Sequence, residues 1–442
     1  MHQLAAKLGD LLNHPPSSVE LLPGDGSEWF AEGSPPEVLQ HAPFLFVEGN
    51  LGVPHKLAYK LYLQSVPTFQ ACRSRLRVQT DDSGGSSPDS HSRHAHILTD
   101  TEVKNTLASS AVLLLVNPAH QSALNARKRL VQCGALDAGH ELRVVSALLT
   151  LRDGAKQSIL WHHRRWLLRR VHTSLPSPPD DPQSRHRPLG EGPRGDGEDS
   201  LWNLDLDAGW FRAEFAVVSQ ACETYPRNYH AWAHRFLCAQ ALVAVVGHPS
   251  TSDAHRSEVL EVWREERRRV REWIDRHVSD YSAMQYACRL EVLGDGLRPS
   301  MDEKSSGTLP PVDGSLEAPL SEHAWLLVES YPAYESLWLY FRGALQHPSN
   351  EDMAVSDSPP VQAIPVEAQN FVERLLSDET ADDTSNILPG ELALVRNHAV
   401  RFRAWVLWKE KRVQLNAGFV RRVAMAAEDF EPASSLEATS IG

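Results

Sequence analysis

Apolar positions recur along this chain at helical spacing, broken by polar stretches. The stretch "ELRVVSALLTL" at 141–151 sets Leu142, Val145, Leu148 and Leu149 on one face, at i, i+3, i+6 and i+7. "FRAEFAVVSQACETYP" at 211–226 does the same with Phe211, Phe215, Val218 and Cys222, and its proline stops the helix. "WREERRRVREWIDRH" at 263–277 reads as a helix with Trp263, Val270, Trp273 and Ile274 inward and its charges in solvent, the alternative being a surface for an acidic partner or substrate. A further long helix is predicted over about 388–414, carrying Trp405 and Trp408. Alternating β-branched runs are scarce, so no sheet is expected. Four stretches, 80–97, 174–200, 295–319 and 347–362, are rich in Ser, Pro, Gly and Asp and read as disordered inserts.

The helices come in pairs, and the second helix of each pair repeats a motif. The copies are "NPAHQSALNARKRL" from 117, "KQSILWHHRRWLL" from 156, "RNYHAWAHRFLC" from 227, "DYSAMQYACRL" from 280 and "YESLWLYFRGAL" from 334. They align on Leu124, Trp161, Trp232, Met284 and Trp338. Inserts at 174–200, around 245–255 and at 295–319 account for the uneven spacing. In the copy at 227, Asn228 is placed to cap the helix, and Tyr229, Trp232 and Arg235 fall on one face. A buried Trp removes on the order of 200 Å² from water. An Arg one turn on stacks on an aromatic face and donates to carbonyls of the neighbouring pair. Trp161, Arg164, Trp232, Arg235, Trp338 and Arg342 are therefore expected to pack repeat on repeat.

Neither helix of a pair buries its apolar face alone. The predicted fold is all-α, a right-handed superhelix (α-solenoid) of stacked antiparallel helix pairs with disordered inserts. An N-terminal helical segment is expected over 1–102, the repeat domain over 103–415, and a short helix with a disordered tail over 416–442.

Composition narrows the function. A net charge of −13 over 442 residues argues against a nucleic-acid surface. Five cysteines, far apart and without a C-x-x-C pair, give neither a disulfide framework nor a zinc knuckle, so a reducing, cytoplasmic setting is expected. The run "AVLLLV" at 111–116 is too short to cross a bilayer, and the opening residues do not read as a secretory leader. His230 and His234 have the i, i+4 spacing of a metalloprotease helix, but no Glu follows the first. His162 and His163 are adjacent and cannot share one face. No metal is expected on this chain, and no complete catalytic machinery is visible.

The motif N-x-x-x-W-x-x-R on the second helix of each pair resembles the protein prenyltransferase alpha-subunit repeat. The first copy departs from it with Gln121 and Leu124, and the fourth with Met284 and Ala287. With "FVEGNLGVPHKLAYKLYLQS" and "HHRRWLL", the chain looks most like the divergent prenyltransferase alpha-subunit repeat-containing proteins. This resemblance implies a crescent of hairpins around a beta subunit that holds the zinc and most of the prenyl diphosphate pocket. The expected partner is a Rab-type geranylgeranyltransferase beta subunit, and the expected substrates are proteins with a C-terminal cysteine. The implied reaction is transfer of an isoprenoid, geranylgeranyl, to that cysteine. Arg227 stands where farnesyltransferase has a lysine at the pocket mouth, and Tyr229 lies two residues on. The alternative is a helical-repeat scaffold that binds a protein partner without prenyl transfer.

Overall fold

In the computed structural model the described residues are 2–30, 35–81, 99–175, 200–295, 297, 318–346, 364–377 and 390–411. Most of the inserts expected at 80–97, 174–200 and 295–319, and all of 347–362 and 416–442, lie outside them. The chain divides into two compact units, Met1–Trp263 and Arg264–Gly442.

The first unit opens with α1 (His2–Asn13), β1 (Ser18–Leu22), α2 (Pro36–Gln40), β2 (Leu45–Val47), β3 (Asn50–Pro54) and the long α3 (His55–Asp81). The strands form a small sheet in the order β1-β3-β2, with β3 parallel to β1 and antiparallel to β2. This corrects the expectation of no sheet. The strands are five, three and five residues long, too short for alternation to show. β2 turns into β3 through Glu48 (φ 50°) and Gly49 (φ 79°), both left-handed, as a two-residue type I′ hairpin requires.

The remainder is helix pairs: α4 (Asp100–Val116) with α5 (Gln121–Gln132), then α6 (Ala138–Leu148) with α8 (Ser158–Val171), separated by the single turn α7 (Arg152–Ala155). There follow α9 (Ala208–Thr224) with α10 (Tyr229–Gly247) and α11 (Asp253–Arg276) with α12 (Tyr281–Asp295). The last pairs are α13 (Leu320–Ser330) with α14 (Glu335–Ala344) and α15 (Val366–Leu376) with α16 (Leu392–Lys411). The all-α class of stacked hairpins therefore holds outside the small sheet. The wide gap between Trp232 and Met284 has no insert behind it. Only His248–Ser252 separates α10 from α11, and the distance is taken up by helices of 19 and 24 residues. Among the described residues, no helix is long and apolar enough to cross a membrane.

The N-terminal elements are packed into the repeats. α4 buries every residue from Ser109 to Leu115, so "AVLLLV" needs neighbours on all sides. α1 and α3 supply them. Gly9 permits the close approach of α1, since a Cβ there would lie 2.5 Å from the Ala108 side chain. Thr150, just past α6, accepts from the Val19 backbone N–H at 2.8 Å and ties β1 to the second repeat.

The indoles that align the repeats are buried: Trp161, Trp232 and Trp338 are at most 3% exposed. Trp161 Nε1 donates to the Ala155 carbonyl at 2.8 Å, and Trp338 Nε1 to that of Pro332 at 2.8 Å, each six residues upstream. Asn228 caps α10 by accepting from Ala231 N–H at 3.1 Å. Its amide also donates to Ala155 O at 2.8 Å, so one carbonyl joins the second repeat to the third. The fifth copy is shifted. Phe341, fully buried, occupies the place three after Trp338, and Arg342 lies one residue later, over the Trp405 ring at 5.1 Å.

Replacing Trp161 by Ala is expected to cost about 3–5 kcal/mol through cavity and transfer terms. Asn228→Ala should cost about 1–2 kcal/mol as a lost cap. Urea unfolding followed by far-ultraviolet circular dichroism checks both, and an unmoved midpoint for the Trp variant contradicts the packing described.

Candidate functional site

Each repeat arginine in the first unit does more than stack. Arg127, on α5, grips Glu141 on α6 with Nε and Nη2 at 2.9 and 2.6 Å, both side chains being at most 1% exposed. Its Nη1 donates to Leu107 O and to Ser110 Oγ on α4. Arg164, on α8, repeats the arrangement on Glu214 of α9, at 2.5 and 2.7 Å, and reaches back to Ser146 on α6 at 2.8 Å. Arg235 reaches Ser219 Oγ at 2.8 Å and Phe215 O at 3.3 Å, and lies over the Trp232 and Phe215 rings. The carbonyl bonds of Arg127 and Arg235 thus stay within their own hairpins, where the sequence suggested the neighbouring one. The carboxylate bonds of Arg127 and Arg164 cross to the next hairpin.

A third group completes each node. His163 Nε2–H donates to Glu141 Oε1 at 3.2 Å, and His234 Nε2–H to Glu214 Oε1 at 2.7 Å. His234 also rests against Trp161, ring centroids 5.2 Å apart. Burial pushes the Glu141 carboxyl up, but the Arg127 cation and then His163 outweigh it and hold it at about 2. Burial raises Glu214 in the same way, and Arg164 with His234 brings it well below the ordinary carboxylate range. Burial lowers His234 from its ordinary value, against the opposing pull of the Glu214 carboxylate.

In the second unit the same positions carry different chemistry. Tyr286, two after Met284, donates its hydroxyl to Glu266 Oε1 at 2.6 Å. Tyr340, two after Trp338, lies 3.0 Å from His323 Nδ1, whose other nitrogen is 2.8 Å from Asp275. Where the repeat arginine is gone, at Ala287, the first helix of the next hairpin carries His323 in place of a glutamate. The substitutions are mutually consistent: without a cation to receive, a buried carboxylate would be unpaired.

His230 and His234 do not converge. His234 is fully buried, whereas His230 is half-buried and held below its ordinary value by burial, then by His162 and Arg165. Glu214, His234 and Cys238 do lie within 4.8 Å of one another, close enough to hold a metal. Their chemistry argues otherwise, because Arg164 already places a cation across both Glu214 oxygens.

Arg227 and Tyr229 flank the buried cap Asn228 in the turn from α9 to α10. Both are exposed, Tyr229 by 66%. Tyr229 therefore leaves the stripe in which the sequence placed it with Trp232 and Arg235, because it is the first helical residue and faces solvent. Arg227 has φ 57°, a left-handed conformation that costs a non-glycine residue roughly 1–2 kcal/mol. A strained turn thus holds an arginine outward, next to an outward tyrosine.

The glutamates of the ladder escaped the sequence reading, though a signal was present. "ELRVVS" at 141–146 and "EFAVVS" at 214–219 share E-x-x-V-V-S, with the Glu serving the preceding repeat's arginine and the Ser its own.

Residues 211–242, the third hairpin, match the family model described as protein prenyltransferase alpha subunit repeat. Three similar proteins are named protein prenyltransferase alpha subunit repeat-containing protein 1 or a form of it. The one from Danio rerio is 30% identical over 251 residues, 53% of this chain and 52% of the relative. The Homo sapiens protein is 28% identical over 316 residues, 65% of this chain and 70% of the relative. Form 1-B of Xenopus laevis is 24% identical over 255 residues, 53% of each. The chain thus spans about half the length of the zebrafish and frog relatives it matches.

A carboxyl held low when folded stabilises the fold above its unfolded value, and that stability is lost as pH falls through the folded value. Stability is therefore expected to fall between about pH 4.5 and 2, with Glu141 as one source. Glu141→Gln should cost about 3–5 kcal/mol at pH 7, since Arg127 is left buried and uncompensated, and should flatten the acid limb. Urea midpoints measured across that range check this, and a variant with an undiminished acid slope contradicts it.

Proposed function

We propose that this chain, a protein of the prenyltransferase alpha-subunit repeat kind, is the alpha-like, non-zinc subunit of a heterodimeric protein prenyltransferase. Its partner is a beta subunit of the Rab geranylgeranyltransferase type, and the pair works in the cytoplasm. The reaction moves a geranylgeranyl group from its diphosphate to a C-terminal cysteine of a protein substrate. The carbon–oxygen bond to diphosphate breaks as the carbon–sulfur bond forms. Zinc and the prenyl diphosphate belong to the beta subunit, where the metal supplies a cysteine held as thiolate.

This chain contributes charge at the pocket mouth. Arg227 offsets the negative charge that grows on the departing diphosphate, and Tyr229 lies beside it as a hydroxyl donor. The observation that carries this reading is the Arg227 backbone. A left-handed turn residue is cheapest as glycine, yet an exposed arginine stands there, between a helix end and a buried cap.

Co-expression with the beta subunit and a labelled-isoprenoid transfer assay test the proposal. A stable pair that transfers isoprenoid is expected. A complex without transfer is the result a pure binding scaffold gives. Arg227→Gly separates role from stability. It relieves the left-handed strain, so the melting temperature should not fall, while turnover of the assembled pair should drop by at least about tenfold. Unchanged turnover removes Arg227 from the mechanism.

A further inference from the structure

The chain carries 57 acidic residues in 442, about one in eight. Yet α5, α8 and α10, of 12, 14 and 19 residues, contain no Asp or Glu at all. Exposed acids of the same unit lie instead on or beside the first helices of the hairpins, as at Asp100, Asp137, Asp207 and Glu223, in the N-terminal segment, as at Asp10, Glu20 and Glu48, and at Asp153 on α7. Charge is thus sorted by layer. The buried Arg127 and Arg164 are consumed by Glu141 and Glu214, but Lys128, Arg129, Arg169 and Arg170 reach the surface.

Two of these cations are organised around one ring. Trp166 is half-buried on α8, with Lys128 Nζ at 4.7 Å and the Arg170 guanidinium at 4.3 Å from its centroid. His163 stacks on it from within, centroids 5.5 Å apart. His162, one turn before Trp166 on the same face, is exposed, and Arg165 Nη2 lies 3.0 Å from its Nδ1. The basic groups His162 and Arg165 both act on His230, which touches the Tyr229 ring. The strip therefore runs from α5 across α8 to the start of α10.

We infer that this strip is the face that receives the partner subunit, and that the partner meets it with an acidic patch centred on Trp166. The inference rests on the heterodimer reading above. An aromatic flanked by cations, partly desolvated already, is the kind of anchor that dominates protein interfaces. The net charge of −13 selects a protein with a local acidic patch over an extended polyanion or an anionic membrane. Beyond about 10 Å the strip is screened, and the rest of the chain repels a large negative body.

The test is the dissociation constant of the full chain with the isolated beta subunit, at about 50 and 300 mM salt. Wild-type binding should weaken with salt. The double variant Lys128→Glu with Arg170→Glu should bind at least about tenfold more weakly, with an unchanged melting temperature. His162→Glu, exposed one turn before Trp166 on α8, should weaken binding by a smaller factor and provides the reading if the double variant melts early. Lys104→Glu, exposed on the first helix α4, should leave binding within about twofold. If the pair forms and the strip variants bind like wild type, or Lys104→Glu weakens it equally, this inference alone falls. If the wild-type chain forms no pair at all, the heterodimer reading falls and takes the inference with it.

Discussion

A buried guanidinium locked to a buried carboxylate on the following hairpin is the constraint on which the first unit depends. Arg127 with Glu141 and Arg164 with Glu214 are each bidentate and out of reach of water. Removing two charges from water costs several kcal/mol per ion, and the pair recovers this only when geometry and extra hydrogen bonds are good. Here both oxygens are met by the arginine, a histidine adds a further donor, and a serine of the arginine's own hairpin takes another N–H. One-residue slips between hairpins would strand a charge, so the pairs select a single register. Trp161 and Asn228 reinforce it by sharing the Ala155 carbonyl.

The same logic explains where the repeats change. The first hairpin has no preceding arginine to receive, and it places Ala126 where later copies have His163 and His234. Arg127 instead finds Asn13 of α1 at 3.2 Å, so the N-terminal segment closes the ladder at that end. In the second unit, tyrosines replace the histidines, and apolar groups at Ala287 and Phe341 replace the arginines. The donors there include neutral tyrosine hydroxyls, as where Tyr286 meets the buried Glu266 carboxylate.

Stability and the proposed chemistry fall to different residues only a few positions apart. Asn228 is buried and fully used, while Arg227 before it and Tyr229 after it face solvent. Trp161 and Trp232 are interior, while Trp166 looks outward between two cations. The hairpins use one side of each second helix for their own register. The other side is free to carry charge toward something else.

The helix pairs, their order and the indole spacing were legible in the sequence because a 3.6-residue period survives in any single helix. So were the burial of Trp263, Trp273 and Ile274 on α11 and the cap at Asn228. The sheet was not, since three short strands joined by a Glu-Gly turn leave no period to read. Nor was Tyr229's exposure, because a helical wheel ignores that the first residue of a helix meets the turn and not the core. What only the tertiary structure decided was which charges meet. Arg164 and Glu214 are 50 residues apart in sequence, and their contact follows from how one hairpin lies on the next. A one-dimensional pattern records which side of a helix is apolar, but not which partner it turns that side toward.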